Sequence, residues 1–185
     1  MKKKLALAAA TLALMPFLAN SAPLQQGTSY AGVNYALLNY SEDGVSTDAE
    51  PTALVGKLGY FMVDQLAIEG RLGFGVTDDS VRVDAYGQQV AVAVDLDRMF
   101  GLYLTGHFPL SEQASVYALV GFTNMKATFS AGGTSLSGTD SGFTYGFGAN
   151  LYASPQFGIN AEYTQYLDET GYSLSAVSIG ATLPF

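Results

Sequence analysis

Apolar and polar residues alternate along most of this chain with a period of two. The clearest segment, residues 66–75, sets Leu66, Ile68, Leu72 and Phe74 against small or charged residues on the other face. Eight segments share this rhythm: about 30–39, 53–61, 66–75, 92–108, 115–125, 142–153, 157–167 and 177–185. Because successive side chains of a strand point to opposite faces, the pattern predicts eight β-strands.

The connections between these segments alternate in length. The tight ones are 62–65, 109–113 and 154–156, and the longer ones are 41–50, 76–90, 126–141 and 168–173. Short turns at one end and longer loops at the other are typical of an outer-membrane barrel. We therefore predict an all-β, eight-stranded antiparallel transmembrane up-and-down β-barrel. The strand that ends at Phe185 should pair with the strand that begins near Tyr30, and the upper half of segment 92–108 should stand above the membrane.

The first residues follow the plan of a secretory signal peptide. Lys2, Lys3 and Lys4 precede an apolar run over residues 5–18, and small residues follow at 19–22. This order predicts a signal peptide over 1–21, with cleavage after 22 as the alternative, and a barrel domain over 22–185. An N-terminal membrane anchor is the other interpretation, although the apolar run is short for a spanning helix.

Composition supports a membrane location. Apolar residues make up 49% of the chain and charged residues only 13%, which is too apolar for a domain with an ordinary wet surface. There is no cysteine, so disulfides and a cysteine-linked lipid anchor are excluded. Without residues 1–21 the chain keeps five basic and all 16 acidic residues, and this charge argues against nucleic acid as a partner.

Four charged residues fall on the inward face at similar heights above the tight turns: Lys57, Glu69, Arg71 and Glu162. Eight strands leave an interior just wide enough for side chains, and buried charges persist only when they are paired. We therefore predict a lumen charge network in which Lys57 and Arg71 pair with Glu69 and Glu162 and fill the barrel. The alternative interpretation is a gate or selectivity ring.

Other candidate chemistry is sparse. His107 is the single histidine, has no nucleophile beside it and precedes a tight turn, so we expect a hydrogen-bonded lumen or rim histidine. No catalytic, cofactor or metal site is predicted. The acidic stretches 41–44 and 77–80 are interpreted as solvated loops or as divalent-cation contacts to lipopolysaccharide phosphates. Tyr60 and Phe108, next to tight turns, are expected in a lipid-facing aromatic girdle.

Several motifs together carry a family resemblance. They are Leu58-Gly59-Tyr60, the segment 66–75 with Glu69, Phe108-Pro109-Leu110-Ser111, Tyr145-Gly146-Phe147-Gly148 and Ala161-Glu162-Tyr163. In order and spacing the chain resembles the opacity-protein family of small porin-family barrels, which are related to the transmembrane domain of outer-membrane protein A and to outer-membrane protein X. The resemblance implies the outer membrane of a Gram-negative bacterium.

The resemblance also implies an assembly signal in the last strand, at Leu183 and Phe185, although the family usually has an aromatic residue where Leu183 stands. The barrel assembly machinery and periplasmic chaperones would recognise it. Family members act as surface adhesins, envelope stabilisers or narrow pores.

The leading hypothesis is a non-enzymatic, monomeric barrel with a structural or adhesion-like surface role and no cofactor. Its expected partners are outer-membrane lipid, lipopolysaccharide and a host or surface ligand that the loops would contact. The alternatives are a narrow channel for small solutes or ions, an outer-membrane lipid-modifying enzyme and a soluble lipocalin-like carrier. In the carrier the apolar face would point inward and line a ligand cavity.

Overall fold

The computed structural model describes residues 24–42, 50–77, 79–85, 88–131, 133–169 and 171–185. The predicted signal peptide, its cleavage site and parts of both acidic stretches lie outside these residues. No helix in the described parts of the chain is long and apolar enough to cross a membrane.

Nine strands make up the described chain. They are β1 (Ser29–Glu42), β2 (Thr52–Val63), β3 (Leu66–Thr77), β4 (Asp79–Ala85), β5 (Gln88–Pro109), β6 (Ala114–Ala131), β7 (Thr134–Ser154), β8 (Phe157–Glu169) and β9 (Tyr172–Pro184). All pairings are antiparallel, and eight strands form a closed ring in the order β3-β2-β1-β9-β8-β7-β6-β5, with β5 returning to β3. The predicted eight-stranded barrel is confirmed.

The apolar face of each strand points outward. Leu58, Phe122 and Ile179 expose 60%, 67% and 65% of their surface, while their chain neighbours Lys57, Thr123 and Ser178 are buried. A closed wall of this kind satisfies its backbone hydrogen bonds internally, and its apolar exterior suits lipid. The lipocalin-like alternative is wrong, because it requires the apolar face to line the interior.

The first and last strands close the barrel as predicted. β1 and β9 pair continuously from Tyr30 opposite Pro184 to Glu42 opposite Tyr172. Below this ladder the Ser29 amide donates to the Phe185 carbonyl, and the Phe185 amide donates to the Ser29 carbonyl. The edge of the last strand is therefore fully paired, which removes the exposed edge that would favour aggregation.

Two regions predicted as loops are strands, and these predictions were wrong. Residues 79–85 form β4, which pairs with 88–94 of β5, and residues 126–141 lie almost entirely within the β6–β7 hairpin. The hairpin turns at Gly133, whose φ of +85° is readily adopted by glycine. Serine and threonine pairs across the hairpin supply hydrogen bonds in place of apolar packing, so the segment lacks the apolar alternation that marks the other strands.

Three layers of side chains fill most of the interior. We call the end with the tight turns and the chain termini the turn end, and the opposite end the loop end. At the turn end Tyr30, Phe61 and Ala67 form a small apolar cluster that Leu24 covers. Charged and polar side chains occupy the middle, and a larger apolar cluster occupies the loop end.

Candidate functional site

Arg71 is the centre of the polar layer in the middle of the lumen. Its Nε donates to Glu69 Oε1 at 2.6 Å, and its two terminal nitrogens donate to the two carboxylate oxygens of Glu162 at 2.5 and 2.8 Å. Its guanidinium carbon lies 4.9 Å from the centre of the Tyr103 ring. The bidentate geometry with Glu162 is the strongest common form of an arginine–carboxylate pair.

Phenol and hydroxyl groups donate further hydrogen bonds to the two carboxylates. Tyr30 donates to Glu69 at 2.5 Å, and Tyr117 and Thr164 donate to Glu162 at 2.7 and 2.8 Å. The three ion-paired residues, Glu69, Arg71 and Glu162, are each less than 5% exposed. Full hydrogen bonding of this kind is what allows buried charges to persist.

Lys57 lies in the same layer but bonds differently from the prediction. Its Nζ donates to the side-chain oxygen of Asn160 at 3.3 Å. Among the described residues no carboxylate oxygen lies within 4.0 Å of it. Arg71 lies on the neighbouring strand, directly opposite Lys57 in the ladder. Its longer, forked guanidinium group reaches both carboxylates, so Lys57 bonds to the amide of Asn160 instead.

Two further chains of hydrogen bonds extend the layer, and no motif in the sequence predicts them. Asn34 donates to Asn160 at 2.7 Å and to Ser178 at 3.0 Å. On the other side the hydroxyls of Tyr103, Thr123 and Thr144 are linked by two contacts of 2.6 Å, and Thr144 donates to the Tyr166 carbonyl. Alternation predicts that these side chains point inward, but it does not predict their hydrogen-bond partners.

His107 packs among rings near the turn end. The ring of Tyr117 stacks on it at 5.1 Å, and those of Phe61 and Tyr30 lie at 5.2 and 6.5 Å. Neither ring nitrogen has a hydrogen-bond partner among the described residues, so the expected hydrogen-bonded histidine was wrong in this respect. The packing explains the difference: aromatic rings lie against the imidazole, and the phenols of Tyr30 and Tyr117 donate to Glu69 and Glu162.

The loop-end apolar cluster was not predicted as a unit. Its buried members include Leu38, Leu96, Met99, Met125 and Leu167. Each of these side chains points inward at a height where the strands rise above the polar layer. The available signal was the breaks in alternation, such as Leu37-Leu38 and Met99-Phe100, where both faces become apolar.

An open apolar cavity of about 340 Å³ lies above this cluster. At its rim the Tyr172 hydroxyl donates to the Asp140 carboxylate. Tyr172 stands at the loop end, level with Glu42 and Glu169. The hydrogen bond to Asp140 raises the pKa of Tyr172 to about 12, so the phenol is neutral at physiological pH.

The remaining predicted residues lie at the turn end. Tyr60 and Phe108 are 47% and 64% exposed on the outer surface of the wall. Leu183 pairs with Ala31 in the closing ladder, and Phe185 follows directly below it. Within the described ranges, no three His, Cys, Asp or Glu side chains are close enough together to hold a metal ion.

Sequence comparison identifies the family. The model of the outer membrane protein beta-barrel domain matches residues 5–185. The chain belongs to this family. It is therefore a protein of the Gram-negative outer membrane, of the class of small barrels related to outer-membrane proteins A and X. No curated protein was found to match the sequence.

Solved outer-membrane barrels share the fold. Ail, the attachment invasion locus protein of Yersinia pestis, is 22% identical with a TM-score of 0.63, over 87% of this chain and 100% of that one. Neisserial surface protein A is 14% identical with a TM-score of 0.61, over 86% and 100%. OprG of Pseudomonas aeruginosa is 12% identical with a TM-score of 0.57, over 87% and 97%.

Proposed function

We propose that this protein is a closed, non-enzymatic outer-membrane barrel that presents a β-sheet at the cell surface for contact with other molecules. The observation that carries the proposal is the unequal length of the strands. β5, β6 and β7 have 22, 18 and 21 residues, whereas β2 and β3 have 12 each. Since short turns face the periplasm in outer-membrane barrels, the extra length extends outward from the cell.

This extension is a sheet in its own right. We define the projecting sheet as β4, the 88–98 half of β5, the 125–131 half of β6 and the 134–142 part of β7. Among the described residues β7 pairs with β8 only from Tyr145 onward, so the preceding part of β7 has one edge without a strand partner. A free edge offers backbone donors and acceptors to a partner chain.

The charge of the projecting sheet suggests which partners suit it. Ail has been solved in complex with the heparin analogue sucrose octasulfate, which is strongly anionic. In sequence, the strands of the projecting sheet contain five acidic and three basic residues, so a sulfated polysaccharide is a poor candidate. The proposal is therefore contact with a neutral or basic protein surface.

A binding assay on cells tests the surface role. Replacing residues 129–136 by Asn-Gly would join Thr128 to Ser137, which already face each other in the hairpin. We expect the shortened barrel to insert normally and to lose binding to immobilised host matrix proteins. Glu112→Gln, in a tight turn at the other end, is the control and should bind like the natural chain. Equal binding by the shortened variant would contradict the proposal.

The filled middle of the lumen supports this role over the alternative of a narrow channel. The bonded layer around Arg71 lies between apolar clusters at both ends of the barrel. In planar lipid bilayers we expect the natural chain to give no stable openings. A variant with Arg71→Ser and Glu162→Ser should open more often than the natural chain, because it removes the central ion pair of the layer. Stable openings of the natural chain would favour the channel.

The other expected partners follow from the family. Lipopolysaccharide would surround the outer half of the wall, and the barrel assembly machinery would recognise the strand that ends in Leu183 and Phe185. A monomer is expected, because the barrel closes on itself without a partner strand. Catalysis by His107 is not proposed, since this side chain lies at the turn end among aromatic rings.

A further inference from the structure

The apolar cavity at the loop end has the form of a cup with a closed floor. Its wall includes Leu38, Leu96, Met125, Leu167 and Leu174, which come from five different strands. The buried cluster around Met99 lies beneath, and the polar layer of the lumen lies below that. A molecule that enters from the loop end therefore meets a continuous apolar surface and cannot pass into the periplasm.

The size and the surface of the cup match a small ligand. Its volume of about 340 Å³ is at the lower end of small-molecule sites, which span about 300–1,000 Å³. Four leucines and one methionine contribute to the wall, and methionine adapts its shape to irregular apolar partners. A concave, mostly apolar surface with a few polar groups at its edge is the usual form of a small-molecule site.

The rim restricts the charge of the ligand. Asp140 and its partner Tyr172 stand at the mouth, and Glu169 lies level with Tyr172 on the adjacent strand. A negative rim disfavours fatty acids and phosphorylated lipids, because their head groups would lie against like charges. It leaves uncharged molecules unaffected.

The protein's own neighbouring segment is a poor alternative occupant. Residues 43–49, between β1 and β2 in the sequence, read Asp-Gly-Val-Ser-Thr-Asp-Ala. Val45 is the single large apolar residue of this segment. Burying its two aspartates in an apolar cup would be unfavourable.

We propose that this cup is a binding site for a small, uncharged and mainly aliphatic molecule that reaches the barrel from outside the cell. The apolar wall supplies affinity by removing the hydrocarbon from water, and the acidic rim selects against anionic amphiphiles. Half of the residues that line the cup, among them Leu96, Met125 and Gly138, belong to the projecting sheet, but ligand binding in the cup does not require the sheet's proposed role in surface contact.

Photolabelling of the barrel in lipid nanodiscs tests the proposal. The probe is octanol that carries a diazirine, and labelled residues are located by mass spectrometry. We expect label on Met125 and Leu167 that excess octanol competes away. Label on the lipid-facing Ile179, which samples probe dissolved in the bilayer, should not saturate.

A matched pair of glycine variants separates cup binding from nonspecific labelling. Gly138 lines the cup, and a Cβ atom added there would meet no atom within 4 Å, so we expect Gly138→Leu to fill part of the space. Gly106 is equally open but lies on the lipid face, so Gly106→Leu is the control. We expect Gly138→Leu to lower the saturable label about tenfold, because leucine displaces several methylene contacts, and Gly106→Leu to leave it unchanged.

Charge selection is tested with a second probe, octanoic acid carrying the same diazirine. The acid should label the cup more weakly than the alcohol, and Asp140→Asn should reduce this difference. Saturable labelling that is absent from the natural chain, or undiminished in Gly138→Leu, would overturn the proposal. Stronger labelling by the acid would overturn the assigned ligand class. Gel mobility without heating verifies that every variant is folded.

Discussion

Replacing Glu162 with glutamine tests the reasoning about the lumen most directly. Glutamine keeps the shape of the side chain and removes its negative charge. In the native barrel the Glu162 carboxylate accepts four hydrogen bonds, two from Arg71 and one each from Tyr117 and Thr164. The amide keeps one acceptor oxygen and turns a second position into a donor that faces the guanidinium.

The expected loss follows from these contacts. Breaking a buried ion pair costs about 3–5 kcal/mol, because the remaining charge stays buried without its partner. Arg71 retains Glu69 through a single bond of 2.6 Å, and glutamine retains part of the hydrogen bonding, so the effect should lie near the lower limit. We expect Glu162→Gln to lower the free energy of unfolding by about 3 kcal/mol, with normal insertion.

Urea unfolding in lipid vesicles measures this change, with the folded fraction read from gel mobility and circular dichroism, since the chain has no tryptophan. Glu112→Gln makes the same chemical change at an exposed position in a tight turn and should alter stability by less than about 0.5 kcal/mol. A double-mutant cycle with Arg71→Met isolates the pair. If Glu162→Gln and the Glu112→Gln control had the same stability, the argument for a structural charge network would be refuted.

The remaining predictions concern single positions elsewhere in the barrel. Lys57→Met should change the free energy of unfolding by less than about 1.5 kcal/mol in the same urea titration, because Lys57 has one long hydrogen bond and no carboxylate within 4.0 Å among the described residues. Gly180→Ala should destabilise by about 1–3 kcal/mol, since its Cβ would lie 2.3 Å from the Val33 carbonyl oxygen, whereas Gly106→Ala, with nothing within 4 Å, should change little. Deleting Phe185 should reduce the amount of folded barrel in the outer-membrane fraction more than removing residues 129–136 does. The reason is that the deletion removes both backbone hydrogen bonds to Ser29 and the expected assembly signal. Equal yields of the two variants would contradict this prediction.

Much of the charged layer could be predicted before any coordinates. Glu69 and Arg71 lie two residues apart on one strand, and two residues are one repeat of the pleat, so their inward direction follows from alternation. Counting from the tight turns placed Glu162 at the same height. The partner of Lys57 could not be obtained this way, because four charges at one level allow several pairings and side-chain reach decides among them.

The projecting sheet shows a second limit of the sequence. Residues 134–141 are mostly serine, threonine and glycine, which alternation of apolar residues cannot detect as a strand. Their strand structure depends on pairing with β6, a contact that continues outward from the barrel wall. The length of the hairpin is therefore a consequence of cross-strand hydrogen bonds and not of an apolar face.

The barrel follows from the sequence alone. A strand pattern with a period of two and an apolar outer face is stable when the strands close into a barrel in a membrane. Its last strand also specified closure against β1, and its polar inner face specified a filled middle. Three features become visible only in the folded barrel. They are the pairing of Arg71 with both Glu69 and Glu162, the length of β5 to β7, and the meeting of Leu38, Met125 and Leu167 in one cup. These features depend on the relative heights and distances of side chains on different strands, which local periodicity does not encode.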